Sequence, residues 1–226
     1  MAFRKKYQAV LTPDLDLAVI QECENEEKLK VALANTHYTD LIWYGKNPHK
    51  GLGVIAFNGG RLELMEDFDP QYEYVLPLRY QQGSKSIRVF AIWAMPHATF
   101  RARDYVGQVW GALQHYSNLL DQECIIIGDL NSNAIWDSKR KHGNHSDVVN
   151  LLVKNGITSL YHHKTMESHG SESQPTLYLL KQLTKPYHLD YCFCSESLMS
   201  RDTDITVGQF DDWIKLSDHM PLLVEL

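Results

Sequence analysis

The 226-residue chain has no uninterrupted apolar run of about eighteen residues, so a helix that crosses a membrane is not expected. The basic start, Met1-Ala2-Phe3-Arg4-Lys5-Lys6-Tyr7, is not followed by an apolar signal core, and a cytoplasmic location is the expectation. Positive charge is in the minority. Lys and Arg total 22 against 28 Asp and Glu, a formal net charge of -6, which argues against a protein that coats nucleic acid with a basic surface. It leaves room for an enzyme that gathers carboxylates around a cation. Cysteine is scarce, with four residues, three of them inside apolar strand-like runs. Cys192 and Cys194 are two apart and point the same way along a strand, so they cannot easily bridge each other. No second Cys/His pair stands at a familiar zinc spacing, and buried reduced thiols are expected. Repeats, low-complexity segments and linkers are also missing, and the length suits one domain over residues 1–226.

What is present is an alternation of strand-like and helix-like runs. Residues 2–12 read as a short helix, and Leu15 to Ile20 as a buried strand ending at Gln21-Glu22. Leu29, Ala32 and Leu33 stand at helical spacing within Glu24–Asn35. Leu52–Phe57 is a strand closed by the turn signal Asn58-Gly59-Gly60, and Tyr74–Tyr80 and Ile87–Trp93 are further strands. Arg101–Leu120 is the clearest helix, with Val106, Trp110, Leu113, Ser117 and Leu120 on one face. Cys124–Ile127 reads as a fully buried strand that stops at Gly128-Asp129. His145–Asn155 is a second helix with Asn144 or Ser146 as cap and Gly156 past its end. Leu189–Cys194 and Pro221–Leu226 complete the strands, and the whole implies an α/β or α+β layered domain.

Polar clusters stand beside these strands: Gln21-Glu22, Gly128-Asp129-Leu130-Asn131, Leu189-Asp190-Tyr191 and Ser217-Asp218-His219-Met220-Pro221-Leu222. Hard Mg²⁺ takes oxygen ligands, and hydrolysis of a phosphodiester needs a positioned water, neutralised phosphoryl oxygens and help for the leaving oxygen. A Glu, several Asp, an Asn and a His supply these roles. Each motif alone has an ordinary reading: Glu22 as a strand-end charge, and Asp129-Leu130-Asn131 as an Asx turn. Asp190 inside a strand run is less ordinary, because a buried Asp needs a partner, and His219 is the natural one.

Together and in this order, from residue 21 to residue 222, the motifs resemble those of the endonuclease/exonuclease/phosphatase superfamily, which includes deoxyribonuclease-I-like and apurinic-endonuclease-like enzymes. The resemblance implies a four-layered sandwich: two mostly antiparallel sheets packed face to face, with outer helices. It implies a Mg²⁺-dependent (or Mn²⁺-dependent) nuclease with a nucleic-acid substrate. Glu22 would be the principal metal ligand and Asp218 would lie by the metal. Asp129 would orient or deprotonate the attacking water. Asn131 would bond the water or phosphate, His219 would contact the scissile phosphate, and Asp190 would fix the His219 tautomer. Family members begin with a strand ending in Asn. Here Met1 leads straight into what reads as the following helix, so that first strand is expected to be missing. Ala94 stands where apurinic-type members have Tyr, and His97 can take the part of the strand-end His of deoxyribonuclease-type members or serve structure alone.

Lys139-Arg140-Lys141-His142, Arg101 and Arg103 are candidates for phosphate contacts or solvated loop. Trp136 is a packing residue or a base platform. His162, His163 and His169 read as a solvated loop, with no recognised zinc spacing. A phosphatase or phosphodiesterase acting on a small or lipid phosphoester, and a non-catalytic binding module, are the competing functions. The inositol-phosphatase motif Pro-Ala-Trp-x-Asp-Arg is absent from the sequence.

Overall fold

The computed structural model describes residues 3–12, 14–96, 104–120, 123–139 and 142–226. Helix α1 (Tyr7–Val10) follows a single 3-10 turn at Phe3–Lys5. Then come β1 (Leu17–Cys23), α2 (Glu26–Leu33), β2 (Tyr38–Asn47), β3 (Lys50–Phe57), β4 (Arg61–Leu64), β5 (Val75–Gln82) and β6 (Lys85–Trp93). The second half holds α3 (Val106–His115), β7 (Cys124–Asp129), α4 (His145–Lys154), β8 (Ile157–Ser159), α5 (Leu160–Thr165), β9 (Leu177–Tyr178) and β10 (Pro186–Tyr187). It ends with β11 (Asp190–Ser195), β12 (Asp204–Val207), α6 (Phe210–Trp213) and β13 (Leu222–Glu225).

The main sheet has six strands in the order β4-β5-β6-β7-β11-β8, antiparallel except for the β6–β7 pair. A three-stranded antiparallel sheet has the order β1-β3-β2, and β12 pairs with β13. Strand alternation sets the layers. Val89, Ala91 and Trp93 of β6 share a core with Leu52, Val54 and Ala56 of β3. The next residues along β6, Phe90 and Ile92, face the other way and pack with Val109 and Leu113 of α3 and Val148 and Leu152 of α4. The β12–β13 ribbon puts Ile205 and Val207 against Ile125, Cys192 and Cys194, on the same side of the main sheet as β3. On the outer face of the three-stranded sheet, Phe3, Leu29 and Leu33 cover Ala18, Ile55 and Phe57. Helix, sheet, sheet, helix is the four-layered order expected from the sequence.

Several predicted elements fall where expected, with trimmed ends. Strand β2 is not among the runs the sequence singles out. Its pairing with β3 shifts register between Tyr38 and Asp40 and again between Tyr44 and Asn47, which breaks the period-two alternation a sequence reading depends on. Among the described pairings, β1 joins β3 alone. Ahead of it, Arg4 ties the amino-terminal segment to the buried Glu24 through a guanidinium contact of 3.5 Å and a backbone N–H bond of 3.4 Å. All four cysteines are buried, and burial pushes the Cys23 and Cys194 thiols up to about 12, the inert state expected of core sulfur. Among the described residues, no helix is long and apolar enough to cross a membrane.

Candidate active site

The end of β7 and the start of β11 meet in register, with Asp129 opposite Asp190. Both follow the parity of Ile125, Ile127, Cys192 and Cys194, so both project into the space between the two sheets. Gly128 makes this approach workable. Its φ is +142°, and a Cβ there would lie 2.0 Å from the Ile92 carbonyl oxygen of the neighbouring strand. No side chain fits.

Asp129 is 4% exposed and held at both oxygens. The Asn131 backbone N–H donates to Oδ1 at 2.8 Å and the Asn131 side chain donates to Oδ2 at 2.9 Å. The same amide donates to the Ala94 carbonyl at 2.9 Å, so one residue ties β7 to the end of β6. Asn131 adopts φ +45°, a left-handed backbone that Asn tolerates better than most residues. The Asx turn and the site are thus the same object. Burial, followed by the negative charge of Asp190, pushes the Asp129 carboxyl up to about 8.

Asp190 accepts a hydrogen bond from His219 Nδ1 at 2.9 Å, the partnership its burial demands. Burial alone would lower the His219 pKa. The charge of Asp190 and its hydrogen bond override that and hold the imidazole at about 10, with Asp129 and Asp218 adding in the same direction. Because Nδ1 is committed to Asp190, Nε2 is the nitrogen left for a substrate. Asp129, Asp190 and His219 each bring one atom into a group spanning no more than 4.8 Å.

Glu22 arrives from the opposing sheet. The β1–β3 register shifts between Ile20 and Cys23, and Glu22 sits in that irregularity with φ +58°. Such a bulge re-aims a side chain at a strand end, and strained backbone concentrates at working sites. The Glu22 carboxylate is half exposed and pairs with Lys50 Nζ at 2.7 Å, and that ammonium also lies 5.3 Å from the centre of the Trp93 ring. Glu22 bears on the Asp129 carboxyl through its charge, and Glu22 and Asp218 both bear on Lys6. Neighbouring Gln21 donates to the Ile92 carbonyl at 3.2 Å, which ties β1 across to the main sheet.

The sequence candidates therefore separate into groups. Asn131–Asp129 and Asp190–His219 form two hydrogen-bonded pairs side by side; Glu22 and Asp218 stand around them. His97, Arg101, Arg103, Arg140 and Lys141 lie outside the described residues. Trp136 packs on Tyr187, with ring centres 5.3 Å apart. Thr176 is a residue the sequence did not advertise. Its hydroxyl accepts the backbone N–H of both Leu189 and Asp190 at 2.9 Å, and its carbonyl accepts the Met220 N–H at 2.7 Å. It clamps the two segments that carry the Asp190–His219 pair. His162 and His169 correct the expectation of a solvated loop: they are part of a largely buried cluster, whereas His163 is exposed as expected.

The residues suit a divalent cation. Asp129 and Asp190 bring carboxylate oxygens together with His219, with the Glu22 carboxylate bearing on Asp129 from the opposing sheet, and oxygen donors of this kind are what a hard cation takes.

No family model matches the chain, and no curated protein matches it. Solved structures do. A 3'-5' exonuclease (NExo) from Neisseria meningitidis aligns with 99% of this chain and 95% of its own, at a TM-score of 0.69 and 16% identity. The 3' phosphatase NExo from Neisseria, bound to product DNA hairpin, gives a TM-score of 0.70 at 15% identity with the same coverage. An AP endonuclease from Archaeoglobus fulgidus gives 0.61 at 14% identity, covering 93% of this chain and 88% of its own. At these identities the likeness establishes the fold.

Proposed function

We propose that this chain, which has the deoxyribonuclease-I-like fold of the endonuclease/exonuclease/phosphatase proteins, is a divalent-metal-dependent phosphoric-ester hydrolase acting on nucleic acid. The observation that carries the proposal is the set Asn131–Asp129 and Asp190–His219 at one end of the sandwich. There, two buried carboxylates meet one imidazole held in a single orientation. A structural core has no use for this arrangement, because burying several ionisable groups together is costly.

Each residue has a part in phosphodiester hydrolysis. Asp129, with both carboxylate oxygens held in place, takes the proton of the attacking water. The two Asn131 N–H groups keep its carboxylate in one rotamer. His219, kept protonated by Asp190, donates from Nε2 to a phosphoryl oxygen and offsets the charge that grows there. Glu22 and Asp218 would hold Mg²⁺ or Mn²⁺, and the ion would supply Lewis-acid polarisation of the phosphate and help for the leaving oxygen. Lys50 would give up its place on Glu22 to the metal.

The likeness to a 3' phosphatase bound to a DNA hairpin favours DNA ends among the substrates to try. The test is a panel with Mg²⁺: single- and double-stranded DNA, RNA, a 3'-phosphorylated DNA hairpin, and small aryl and inositol phosphates. Turnover of a nucleic acid at least about a hundredfold above the small esters is expected, since contacts along the polymer strengthen transition-state binding. Equal or faster turnover of the small esters would move the function to the small-phosphoester class. No turnover of any ester by the folded protein would favour a binding module.

A further inference from the structure

On the opposite face of β11 from Asp190, the structure gathers four histidines and a glutamate that the proposed reaction does not use. His162 of α5, with His169 and Glu172 from the segment that follows, each bring one ligating atom, and the three atoms lie within 4.8 Å of one another. His162 Nε2 is 3.2 Å from Glu172 Oε1, and these side chains are 8% and 3% exposed. The His162 and His169 rings stack with centres 3.5 Å apart. His145, fully buried at the start of α4, places Nε2 3.0 Å from His169 Nδ1. Asn144 fixes that position by capping the helix in a capping box with Asp147.

A hydrogen-bond count leaves nitrogens over. A neutral imidazole has one donor and one acceptor. His188 Nδ1 is 2.7 Å from the Gln174 carbonyl, so Nδ1 carries the proton and Nε2 is a lone pair. That Nε2 is buried with no partner, and so is His145 Nδ1. Both orphans sit on histidines that border the ligating group, His145 against His169 and His188 with its ring centre 6.2 Å from that of His162, and they are not the pattern of a relaxed core. Outer partners already orient the others. Ser159 Oγ is 2.8 Å from His162 Nδ1. Asn133 donates to Glu172 Oε2 and the Gly170 N–H donates to Oε1, both at 3.0 Å. Metal-ligating histidines and carboxylates are held in this way.

Two imidazoles and one carboxylate, largely buried and without thiolate, form a donor set suited to Zn²⁺ rather than Mg²⁺. Tetrahedral bonds of about 2.0–2.1 Å set ligand atoms roughly 3.3 Å apart and the centres of two ligating imidazoles about 5 Å apart. The His162–Glu172 pair already stands at that atom separation, and the stacked His162 and His169 rings open to admit the ion. We propose that His162, His169 and Glu172 form a zinc site, distinct from the catalytic carboxylates, with His145 hydrogen-bonded behind His169. The ion fastens the segment from His169 to Thr176 against β11. Leu177 bridges to His219, and Thr176 receives the Asp190 and Leu189 N–H groups, so the fastened segment supports the catalytic pair from behind.

The test uses the full chain without a polyhistidine tag and reads bound metal rather than activity. After gel filtration in zinc-containing buffer, about one zinc per chain is expected by elemental analysis in the wild type, in Glu22→Ala and in His163→Ala. At least about a tenfold drop is expected in His169→Asn and Glu172→Gln, because losing one of three protein ligands removes most of the affinity. Replacing zinc with Co²⁺ should give the intense visible absorption of a tetrahedral site. If the ligand variants do not fold, the wild-type and Glu22→Ala cobalt spectra decide the matter. Absence of bound zinc, a weak octahedral cobalt spectrum, or loss of the metal in Glu22→Ala with retention in Glu172→Gln would overturn the proposal.

Discussion

His219→Ala is expected to lower turnover by roughly 10³-fold or more while leaving the fold intact, the scale of removing a charged donor from a phosphoryl oxygen. The His219 side chain is about a third exposed, so its removal opens little core. Urea unfolding and circular dichroism would report the fold, and steady-state cleavage the rate. Full activity in this variant would remove His219 from the mechanism. Asp190→Asn tests the pairing separately through pH. Asp190 holds His219 at about 10, so the wild-type imidazolium persists across the neutral range. Without that charge, burial dominates and the imidazole titrates lower, which moves the alkaline limb of kcat/KM to lower pH. An unchanged limb would refute the pairing. The same shift carries a stability sign. A raised histidine pKa contributes stability that is complete below about 6.5, the ordinary imidazole value, and is lost as pH rises through the folded value.

Gly128→Ala is expected to prevent folding, or to cost more than about 4 kcal/mol, for a purely steric reason. The added Cβ would meet the Ile92 oxygen at 2.0 Å and the Ile92 carbonyl carbon at 2.8 Å. Both atoms belong to backbone in the parallel β6–β7 pair of the main sheet, where Ile92 lies opposite Gly128, and neither can swing aside as a side chain does. A φ of +142° adds strain for any L side chain. Gly83→Ala is the control. Gly83 also has a positive φ, of +60°, but nothing lies within 4 Å of its added Cβ, so a loss of about 1 kcal/mol is expected. Equal urea midpoints for the two variants would show that the β6–β7 register is wrong.

How much of this could be read from the chain varies by residue, for physical reasons. Asp129, Asn131, Asp190 and His219 were legible because each stands beside an apolar run, where a polar residue needs an explanation. The four-layered order came from the resemblance that the motifs carry, and the structure shows its physical ground: alternate residues of β6 pack into different cores, which requires cover on two sides. The Glu22 bulge was not legible, since a left-handed Glu leaves no mark in composition. Thr176 acts through a hydroxyl given to two backbone donors, and no periodicity announces that. The histidine cluster was misread for a similar reason. Its burial comes from Tyr161 and Tyr191 packing around it, with His188 4.6 Å from the Tyr161 ring centre and His145 4.9 Å from that of Tyr191. Residues 145, 162, 169, 172 and 188 form no local motif and meet only when α4, α5 and β11 assemble.

The most direct test of the central claim is cleavage of end-labelled DNA by the wild type and Glu22→Ala across a Mg²⁺ titration, with EDTA as the zero point. The account predicts no cleavage in EDTA and saturable Mg²⁺ activation of the wild type. In Glu22→Ala it predicts a loss of at least about a hundredfold at low Mg²⁺, partly recovered at high concentration, as follows from removing one carboxylate ligand. Cleavage that survives EDTA, or a Glu22→Ala enzyme with the wild-type Mg²⁺ response, would contradict it.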